Sequence, residues 1–409
     1  MKNRNLYLSR LLEFKDREQV KIIAGVRRSG KSTLLALMKK HLHKSGVPDE
    51  CVVHLNFESF MHRDLMDGEA LWKYVMGRAK ESGRLYLLLD EVQLVTDWEK
   101  CVNALRIDCN SDIYITGSNA SLLATHRSSI LGGRCVTINM LPLSFREFLD
   151  FAPMEDTEDA ALRDFMLLRR FEEYQKHGGM PAIAGQDMAS DAQIAILLDV
   201  FDAVLARDVI ERNSVRDPAL LRVVASFLAH NIGSTVSPKK ISDYLTSHGR
   251  KTSGETIDNY LTMLTDGFLF YKAQRYDLKG KLHLRTLGKY YIVDTGMRNA
   301  LLGRKETDFG HVLENIVFFE LMRRNNTVSI GMQNGFEVDF VADSPGGRKY
   351  YQVAATVLDE NTLKRELRPL EAIEDNYEKT LLTMDRGMST VANGIRVVNV
   401  VDFLLGGDE

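Results

Sequence analysis

The sequence lacks paired cysteines, long apolar runs and a strong net charge. Its four cysteines, Cys51, Cys101, Cys109 and Cys135, show no CxxC spacing, which predicts reduced thiols and a cytoplasmic location. No apolar run approaches the roughly 18 residues of a membrane span, and the first residues lack the apolar core of a signal peptide. We therefore expect no membrane association.

What is present is the composition of a soluble globular protein, with 44% hydrophobic and 27% charged residues. A chain of 409 residues is too long for one ordinary domain, so two or three are expected. The net charge of −3 is unevenly distributed, because residues 217–300 hold twelve Lys and Arg against seven Asp and Glu. This local basic excess favours nucleic-acid binding, and a solvated basic face is the alternative.

The stretch VKIIAGVRRSGKSTLLAL, residues 20–37, carries the clearest motif. An apolar strand is predicted at residues 20–24 and a helix from about Lys31, and between them GVRRSGKS matches the phosphate-loop pattern GxxxxGK[ST]. Such a loop surrounds phosphates with backbone N–H groups and the positive end of a helix. Lys31 is expected to reach the β- and γ-phosphates, and Ser32 to hold Mg²⁺. The predicted ATP-binding residues are Gly25, Arg28, Ser29, Gly30, Lys31, Ser32 and Thr33.

A second apolar strand, LYLLLDE at residues 85–91, ends in two carboxylates. A buried strand of this kind delivers Asp90 to the Mg²⁺ shell and lets Glu91 orient and polarise the attacking water. After the phosphate loop, this pattern predicts the Walker B element of an ATPase. Asp90 is the predicted metal ligand and Glu91 the predicted catalytic residue.

The strand at residues 113–116 ends in polar residues that can sense the nucleotide. Asn119, or Ser118 beside it, is the candidate for contact with the γ-phosphate or the lytic water. Ser and Asn are also favoured helix N-caps, and that alternative stays open.

Two arginines follow, Arg127 and Arg134, the second just before a predicted strand at residues 135–140. An arginine at this place lies at the subunit edge of ring ATPases, from where its guanidinium can reach a neighbour's γ-phosphate. Arg134 is the preferred arginine finger, and an ordinary surface arginine is the alternative for each.

With the segment GRCVTINMLPLSFREFL and the later Gly-Gly-Met-Pro at residues 178–181, these motifs resemble the AAA-superfamily ATPases that carry "domain of unknown function 4143" at the C-terminus. The resemblance covers essentially the whole chain and implies an AAA-type core and ATP use. The helices predicted at residues 157–213 resemble the lid that follows an AAA core. Arg207 is a candidate lid arginine, and a salt bridge with Asp208 or Glu211 is the alternative.

From residue 217 the pattern changes to three short helices, at residues 218–230, 239–247 and 256–265, followed by a hairpin. This is the order of a winged helix, whose third helix enters the major groove of DNA while the wing contacts phosphates. The third helix carries acidic residues, so phosphate contacts are expected rather than base reading; a winged helix used only for protein packing is the alternative. The predicted DNA-binding residues are Lys239, Lys240, Arg250, Lys251, Arg275, Lys279, Lys281 and Arg285.

Residues 306–409 predict the order α-β-β-β-α-β-β, with Glu314 on the first helix and Asp339 in a strand. This order resembles the PD-(D/E)xK restriction-endonuclease fold, whose active members gather a divalent metal with carboxylates and a strand lysine. Here Gln352 stands in place of a carboxylate and Ala354 in place of the lysine. We expect a degenerate nuclease centre of Glu314, Asp339 and Gln352 that cleaves no DNA. A weak metal site and a structural polar network stay open as alternatives for Glu314, Glu337 and Asp339.

The sequence thus predicts an α/β protein with four parts: an AAA-type P-loop core (1–150), a helical lid (151–216), a winged helix (217–305) and a nuclease-like domain (306–409). The predicted function is an ATPase that uses ATP and Mg²⁺ to bind and remodel DNA, with branched DNA such as a recombination junction favoured. A homo-oligomer is expected, with a hexameric ring as one form. The alternatives are a nucleotide-gated switch that acts on a protein partner, and a metal-dependent nuclease.

Overall fold

The computed structural model describes residues 2, 4–79, 83–118, 131–280, 282–303, 308–387 and 394–407, without the side chains of 284–286. The chain divides into two compact units. Unit 1 is Met1–Pro142 with Asp266–Phe268, and unit 2 is Leu143–Thr265 with Leu269–Glu409. Among the residues described, no helix is long and apolar enough to cross a membrane.

Unit 1 is built on a parallel sheet with helices between the strands. Its strands are β1 (Val20–Ala24), β2 (Val52–Asn56), β3 (Leu85–Asp90), β4 (Ser111–Gly117) and β5 (Cys135–Asn139). Its helices are α1 (Asn5–Glu13), α2 (Lys31–Lys44), α3 (Gly68–Ala79) and α4 (Trp98–Asp108), with 3₁₀ turns at Asp49–Cys51, Phe60–Leu65 and Val92–Leu94.

The strand order in this sheet is β2-β3-β4-β1-β5, and every pair is parallel. Strands β1 and β3 are buried along their whole length, which agrees with sequences that are apolar except for Lys21 in β1 and Asp90 at the end of β3. Because all strands run the same way, the loops that follow β1, β3 and β4 meet at one edge of the sheet. Strand β4 lies between β3 and β1, so its last residues stand between the two motifs predicted from the sequence.

The rest of the chain forms helices and a second sheet. The helices are α5 (Phe145–Phe151), α6 (Ala160–His177), α7 (Ser190–Ala203), a π-helical turn at Val204–Glu211, α8 (Pro218–His230), α9 (Pro238–Ser247), α10 (Gly254–Asp266), α11 (Thr295–Leu302), α12 (Phe309–Arg323), α13 (Glu360–Glu371) and α14 (Val400–Leu404). The strands are β6 (Thr235–Val236), β7 (Phe270–Asp277), β8 (Leu282–Ile292), β9 (Thr327–Gln333), β10 (Phe336–Ser344), β11 (Gly347–Ala354), β12 (Glu378–Thr383) and β13 (Ile395–Asn399).

These strands form one eight-stranded sheet in the order β13-β12-β11-β10-β9-β7-β8-β6. The β7–β8 hairpin joins it through a parallel pairing of β7 with β9, in which Arg275 lies opposite Ile330. Helices α8–α10 and the hairpin lie where the sequence predicts them, but the sheet continues across the boundary expected at residue 305. The winged-helix and nuclease-like assignments stay predictions.

The two short motifs quoted for the family resemblance contact each other inside unit 2. Ser144 of LPLSFREF caps α5 in a capping box with Glu147. The N–H of Leu143 donates to the carbonyl of Gly179 (2.7 Å), and a Cβ at residue 179 would lie 2.4 Å from the carbonyl oxygen of Leu143. Only glycine allows this approach, so the second glycine of Gly-Gly-Met-Pro has a packing reason.

Candidate nucleotide-binding site

The phosphate loop joins β1 to α2 at the carboxyl edge of the unit 1 sheet. A Cβ on Gly25 would lie 2.1 Å from the carbonyl oxygen of Met140, so glycine is required there. Arg28 and Gly30 adopt positive φ values of 64° and 104°, which curl the backbone before α2 begins at Lys31. The predicted strand, loop and helix are therefore all present.

The side chains of the loop leave polar groups directed into its interior. The Lys31 ammonium is buried and donates to the carbonyls of Gly25 (2.9 Å) and Val26 (3.1 Å). Ser29 is fully buried, and its hydroxyl is one of the buried polar groups in the described part of the chain that have no hydrogen-bond partner. Ser32 is exposed at the start of α2, and Thr33 is half-buried behind it. A buried hydroxyl without a partner fits a polar ligand such as a phosphate.

The carboxylates that follow β3 face this loop. Glu91 Oε1 lies 3.9 Å from Lys31 Nζ, and both side chains are buried. Burial raises the pKa of Glu91, and the positive charge of Lys31 partly opposes this rise. Glu91 has a positive φ of 55°, a conformation that non-glycine residues rarely adopt and that occurs often at functional sites. Gln93 fixes the Glu91 side chain by donating from Nε2 to Oε2 at 2.5 Å.

Thr116 connects the two carboxylate residues. Its hydroxyl donates to Asp90 Oδ1 (2.5 Å) and accepts a hydrogen bond from the N–H of Glu91 (2.9 Å). Asn56, at the end of β2, donates to the other oxygen of Asp90 at 3.2 Å. Asp90 is therefore held in place from both neighbouring strands, with its carboxylate at the edge where the loop lies.

The sensor position is only partly described. Ser118 is buried directly after the end of β4, two residues after Thr116. Asn119 and Arg127 lie outside the described residues. The sequence analysis selected the polar residues that follow β4, Ser118 and Asn119, and did not identify Thr116 within the strand. A signal for Thr116 was present, because it is a polar residue near the end of an apolar strand.

Arg134 lies far from the phosphate loop of its own chain. It directly precedes β5, whose first residue pairs with Val20 at the start of β1, whereas the loop follows the end of β1. The five-residue strand separates the two positions by about 16 Å at roughly 3.3 Å per residue. Arg134 is exposed and donates to Asn103 Oδ1 at 3.4 Å.

Helix α1 supplies a residue that the sequence analysis did not identify. Arg4, just before α1, is almost fully buried and donates to the carbonyls of Ser29 (2.9 Å) and Leu141 (2.9 Å). The hydroxyl of Tyr7 accepts a hydrogen bond from the N–H of Leu141 (3.1 Å). The start of the chain thus holds the phosphate loop against the segment after β5. No sequence motif marks Arg4, because its partners are backbone groups far along the chain.

The predicted DNA-binding residues lie in unit 2 and are mostly exposed. Lys239, Lys240, Arg250, Lys251 and Lys279 are exposed, and Arg275 is half-buried. Lys281 lies outside the described residues, as does the side chain of Arg285. The hydroxyl of Ser242 donates to the carbonyl of Thr252 (2.8 Å), which ties α9 to the loop that carries Arg250 and Lys251. Arg207 is exposed in the π-helical turn, whereas Asp208 beside it is buried.

The predicted nuclease centre assembles around an unexpected lysine. Glu314 on α12 and Asp339 on β10 both contact Lys289 of the hairpin strand β8. Gln352 accepts from the N–H of Asp339 at 3.3 Å and donates to Glu366 at 3.1 Å. Among the described residues, no group of three or more His, Cys, Asp and Glu side chains is arranged to hold a metal ion.

Two family profiles match the sequence. One, described as an AAA domain, matches residues 17–149, and the other, described as a domain of unknown function (DUF8612), matches residues 168–308. The predicted AAA domain is confirmed. The expected "domain of unknown function 4143" is not shown, because the profile that matches after the AAA domain is a different one.

Related sequences extend over nearly the whole chain. An uncharacterized protein of Haemophilus influenzae is 41% identical over 406 residues, which cover 99% of this chain and 99% of the relative. An uncharacterized protein of Methanocaldococcus jannaschii is 31% identical over 403 residues, covering 94% and 87%.

Similarity to solved structures is weak. The Aeropyrum pernix ORC1 protein in complex with DNA has a TM-score of 0.31 at 13% identity, covering 74% of this chain and 92% of that chain. The AMPPCP-bound DnaA from Aquifex aeolicus has a TM-score of 0.28 at 16% identity, covering 63% and 85%. Scores this low support no conclusion about what this chain binds.

Proposed function

The chain contains an AAA domain and belongs to one family with its Haemophilus influenzae relative, and from this premise we propose that it is a Mg²⁺-dependent ATPase that acts on DNA. One observation carries the ATPase part. Lys31, Asp90 and Glu91 meet at the carboxyl edge of a parallel sheet, next to a loop whose buried Ser29 hydroxyl has no partner within the described residues. This edge is where open α/β sheets bind nucleotides.

Each group has a distinct task in this proposal. The loop N–H groups and Lys31 bind the phosphates, and Lys31 exchanges its backbone carbonyl partners for phosphate oxygens. Ser32 and Asp90 are the residues that hold Mg²⁺, which when bound neutralises phosphate charge. Glu91, with its raised pKa and its carboxylate fixed by Gln93, orients the attacking water and accepts its proton.

Steady-state ATP hydrolysis and nucleotide binding test this assignment. The Lys31→Ala variant is expected to lose nucleotide binding and turnover, because the phosphates lose their ammonium partner. Lys100→Ala is the matched control, since Lys100 is an exposed lysine of unit 1 that pairs with Asp97. Unchanged turnover in Lys31→Ala would show that the loop is not the site. A wild type that binds ATP without hydrolysing it would support the nucleotide-binding assignment and contradict the proposed hydrolase activity.

The DNA part of the proposal rests on charge. Lys239 and Lys240 at the start of α9 and Arg250 and Lys251 after it are exposed cations that the Ser242–Thr252 hydrogen bond ties together. Helix α10, by contrast, exposes Glu255, Asp258 and Asn259, a surface poorly suited to reading bases. Phosphate contacts are therefore proposed, and with them a preference for DNA shape over sequence.

Fluorescence anisotropy and ATPase rates with single-stranded, duplex and four-way-junction DNA test this part. Binding is expected to weaken steeply with salt, and Ala substitution of the four cations of α9 and its loop is expected to abolish it. Replacing Lys349 and Lys364, two exposed lysines of unit 2 paired with Glu378 and Glu360, is the control. Equal rates with all DNA forms and with none would favour a nucleotide-gated switch that acts on a protein partner.

Arg134 can act at a nucleotide site only in an oligomer. Because it lies at the sheet edge opposite its own phosphate loop, a role as arginine finger requires the site of a neighbouring copy. Mixing Arg134→Ala chains with Glu91→Gln chains is expected to restore part of the activity that each variant lacks. Subunit exchange is verified separately, and the absence of rescue at every mixing ratio would exclude a shared site.

A further inference from the structure

Three carboxylates in unit 2 surround a single ammonium group. Lys289 Nζ lies 2.8 Å from Glu314 Oε1, 2.9 Å from Glu337 Oε1 and 3.5 Å from Asp339 Oδ1. The side chain of Lys289 is only 5% exposed, so water does little to screen these contacts. The three acidic residues come from α12 and β10, and the lysine comes from the hairpin strand β8.

The register of β8 directs Lys289 into this centre. Lys289 and Tyr291 are two residues apart in one strand and therefore point to the same face of the sheet. Both donate to the same oxygen, Glu314 Oε1, at 2.8 Å and 2.6 Å. Burial lowers the pKa of Lys289, but the three carboxylates outweigh this effect and raise it above its usual value. The group at the centre therefore keeps its positive charge at neutral pH.

The remaining polar groups of the centre are also used within the protein. Asp339 Oδ2 accepts from the N–H of Val353 at 2.9 Å. The Gln352 side chain uses its oxygen for the Asp339 N–H and its nitrogen for Glu366. Burial and the charge of Glu314 raise the pKa of Asp339, whereas the nearby Lys289 ammonium lowers the pKa of Glu314 despite burial.

A divalent metal does not fit these residues. Protein oxygens bind Mg²⁺ or Ca²⁺ at about 2.0–2.6 Å and must converge on one point. Here the point on which the carboxylates converge is occupied by Lys289 Nζ at hydrogen-bond distances. Ala354 stands at the position expected for a catalytic lysine, and Lys349 of the same strand pairs with Glu378.

We infer that Lys289 is a built-in cation that takes the metal position of this carboxylate centre and closes it to divalent ions. The C-terminal part then performs no metal-dependent hydrolysis, and the ammonium instead fastens the hairpin to α12 and β10. This inference does not depend on the nucleotide site, which lies in unit 1.

Electron paramagnetic resonance of Mn²⁺, with the full chain free of nucleotide, tests the inference. The wild type is expected to leave added Mn²⁺ free. Lys289→Met removes the charge while keeping most of the volume, and it is expected to bind one Mn²⁺ per chain at least tenfold more tightly than the wild type. Adding Asp339→Asn to that variant is expected to remove the new site. Lys272→Met is the control, because Lys272 is an exposed lysine of the neighbouring strand β7.

Two results would overturn the inference. One is a wild type that binds Mn²⁺ and loses it with Asp339→Asn, since the metal would then displace Lys289. The other is a folded Lys289→Met chain that binds no Mn²⁺, since the carboxylates would then not form a cation site. If Lys289→Met does not fold, Mn²⁺ binding is measured with the wild type and with Lys289→Arg. The arginine variant keeps a cation at this position and is expected to bind no Mn²⁺, so binding by it would contradict the inference.

Discussion

The phosphate-loop site of unit 1 and the carboxylate centre of unit 2 both place a buried lysine beside acidic side chains, but they differ in how the lysine is held. Lys31 donates to two neutral carbonyls and stays 3.9 Å from Glu91. Lys289 has two carboxylate oxygens within 2.9 Å and a third at 3.5 Å.

The two lysines differ in how easily a ligand can replace their hydrogen-bond partners. Hydrogen bonds from an ammonium to neutral carbonyls are weaker than those to carboxylates, so an anionic ligand can replace them at little cost. An ammonium that compensates two buried carboxylates and the half-buried Glu337 cannot leave without exposing their negative charges to each other. The first arrangement suits ligand binding, and the second suits structure.

The largest expected effect concerns Glu91. In Glu91→Gln the amide keeps the shape of the side chain but cannot accept a proton, so ATP is expected to bind with nearly unchanged affinity while turnover falls about 100-fold or more. Equilibrium binding and steady-state hydrolysis, measured on the same preparation, check this result. Turnover at the wild-type rate would show that Glu91 has a structural role, like the carboxylates around Lys289.

Removing each lysine in turn tests the comparison directly. Lys289→Met leaves the buried carboxylates of Glu314 and Asp339, and the half-buried one of Glu337, without their counter-ion. It is expected to lower the free energy of unfolding by about 3–5 kcal/mol. Lys31→Met removes a charge held by neutral carbonyls and is expected to cost much less stability while abolishing nucleotide binding. Urea unfolding followed by circular dichroism measures both. Equal losses in the two variants would mean that the two lysines play the same role.

Asp294 is a buried carboxylate whose hydrogen-bond donors are backbone N–H groups rather than a lysine. Asp294 caps α11 and accepts hydrogen bonds from the N–H groups of Met297 (3.0 Å) and Gly179 (2.7 Å). Burial raises its pKa from 3.8 to about 6, although these backbone hydrogen bonds oppose the rise.

The pH dependence follows from this shift. Between pH 3.8 and about 6 the folded chain keeps a proton on Asp294 that the unfolded chain has lost, so stability is expected to fall as the pH rises through this window. The full change is about 3 kcal/mol, from roughly 1.4 kcal/mol per pH unit. Unfolding free energies of the wild type and Asp294→Asn, measured across the window, check it. The same slope in both chains would show that another group is responsible.

The sequence predicted features that contiguous residues determine, and it did not predict features that depend on contacts between distant segments. The phosphate loop and the Asp90–Glu91 pair were found because contiguous residues determine them, and the strands and helix around them follow from apolar patterning. Lys289 could not be assigned, because its position depends on the β8 register and on the pairing of β7 with β9.

The smallest expected effect concerns Arg4, which sequence patterns could not reveal. Its bond to the Ser29 carbonyl fixes the peptide plane between Ser29 and Gly30, so the Gly30 N–H points away from Arg4. In Arg4→Gln this constraint is lost, and the affinity for ATP and ADP is expected to fall about tenfold, or about 1.4 kcal/mol. Binding of adenosine, which carries no phosphate, is expected to stay unchanged.

Tyr7→Phe is the matched control, because it removes the hydrogen bond from Leu141 while leaving Arg4 on the loop. Isothermal titration with ATP, ADP and adenosine separates the two effects. An equal loss for all three ligands would assign Arg4 to general packing. A loss confined to the phosphorylated ligands would show that Arg4 positions the backbone of the phosphate loop. The site whose lysine exchanges its partners for a ligand would then depend on a fixed contact from the start of the chain.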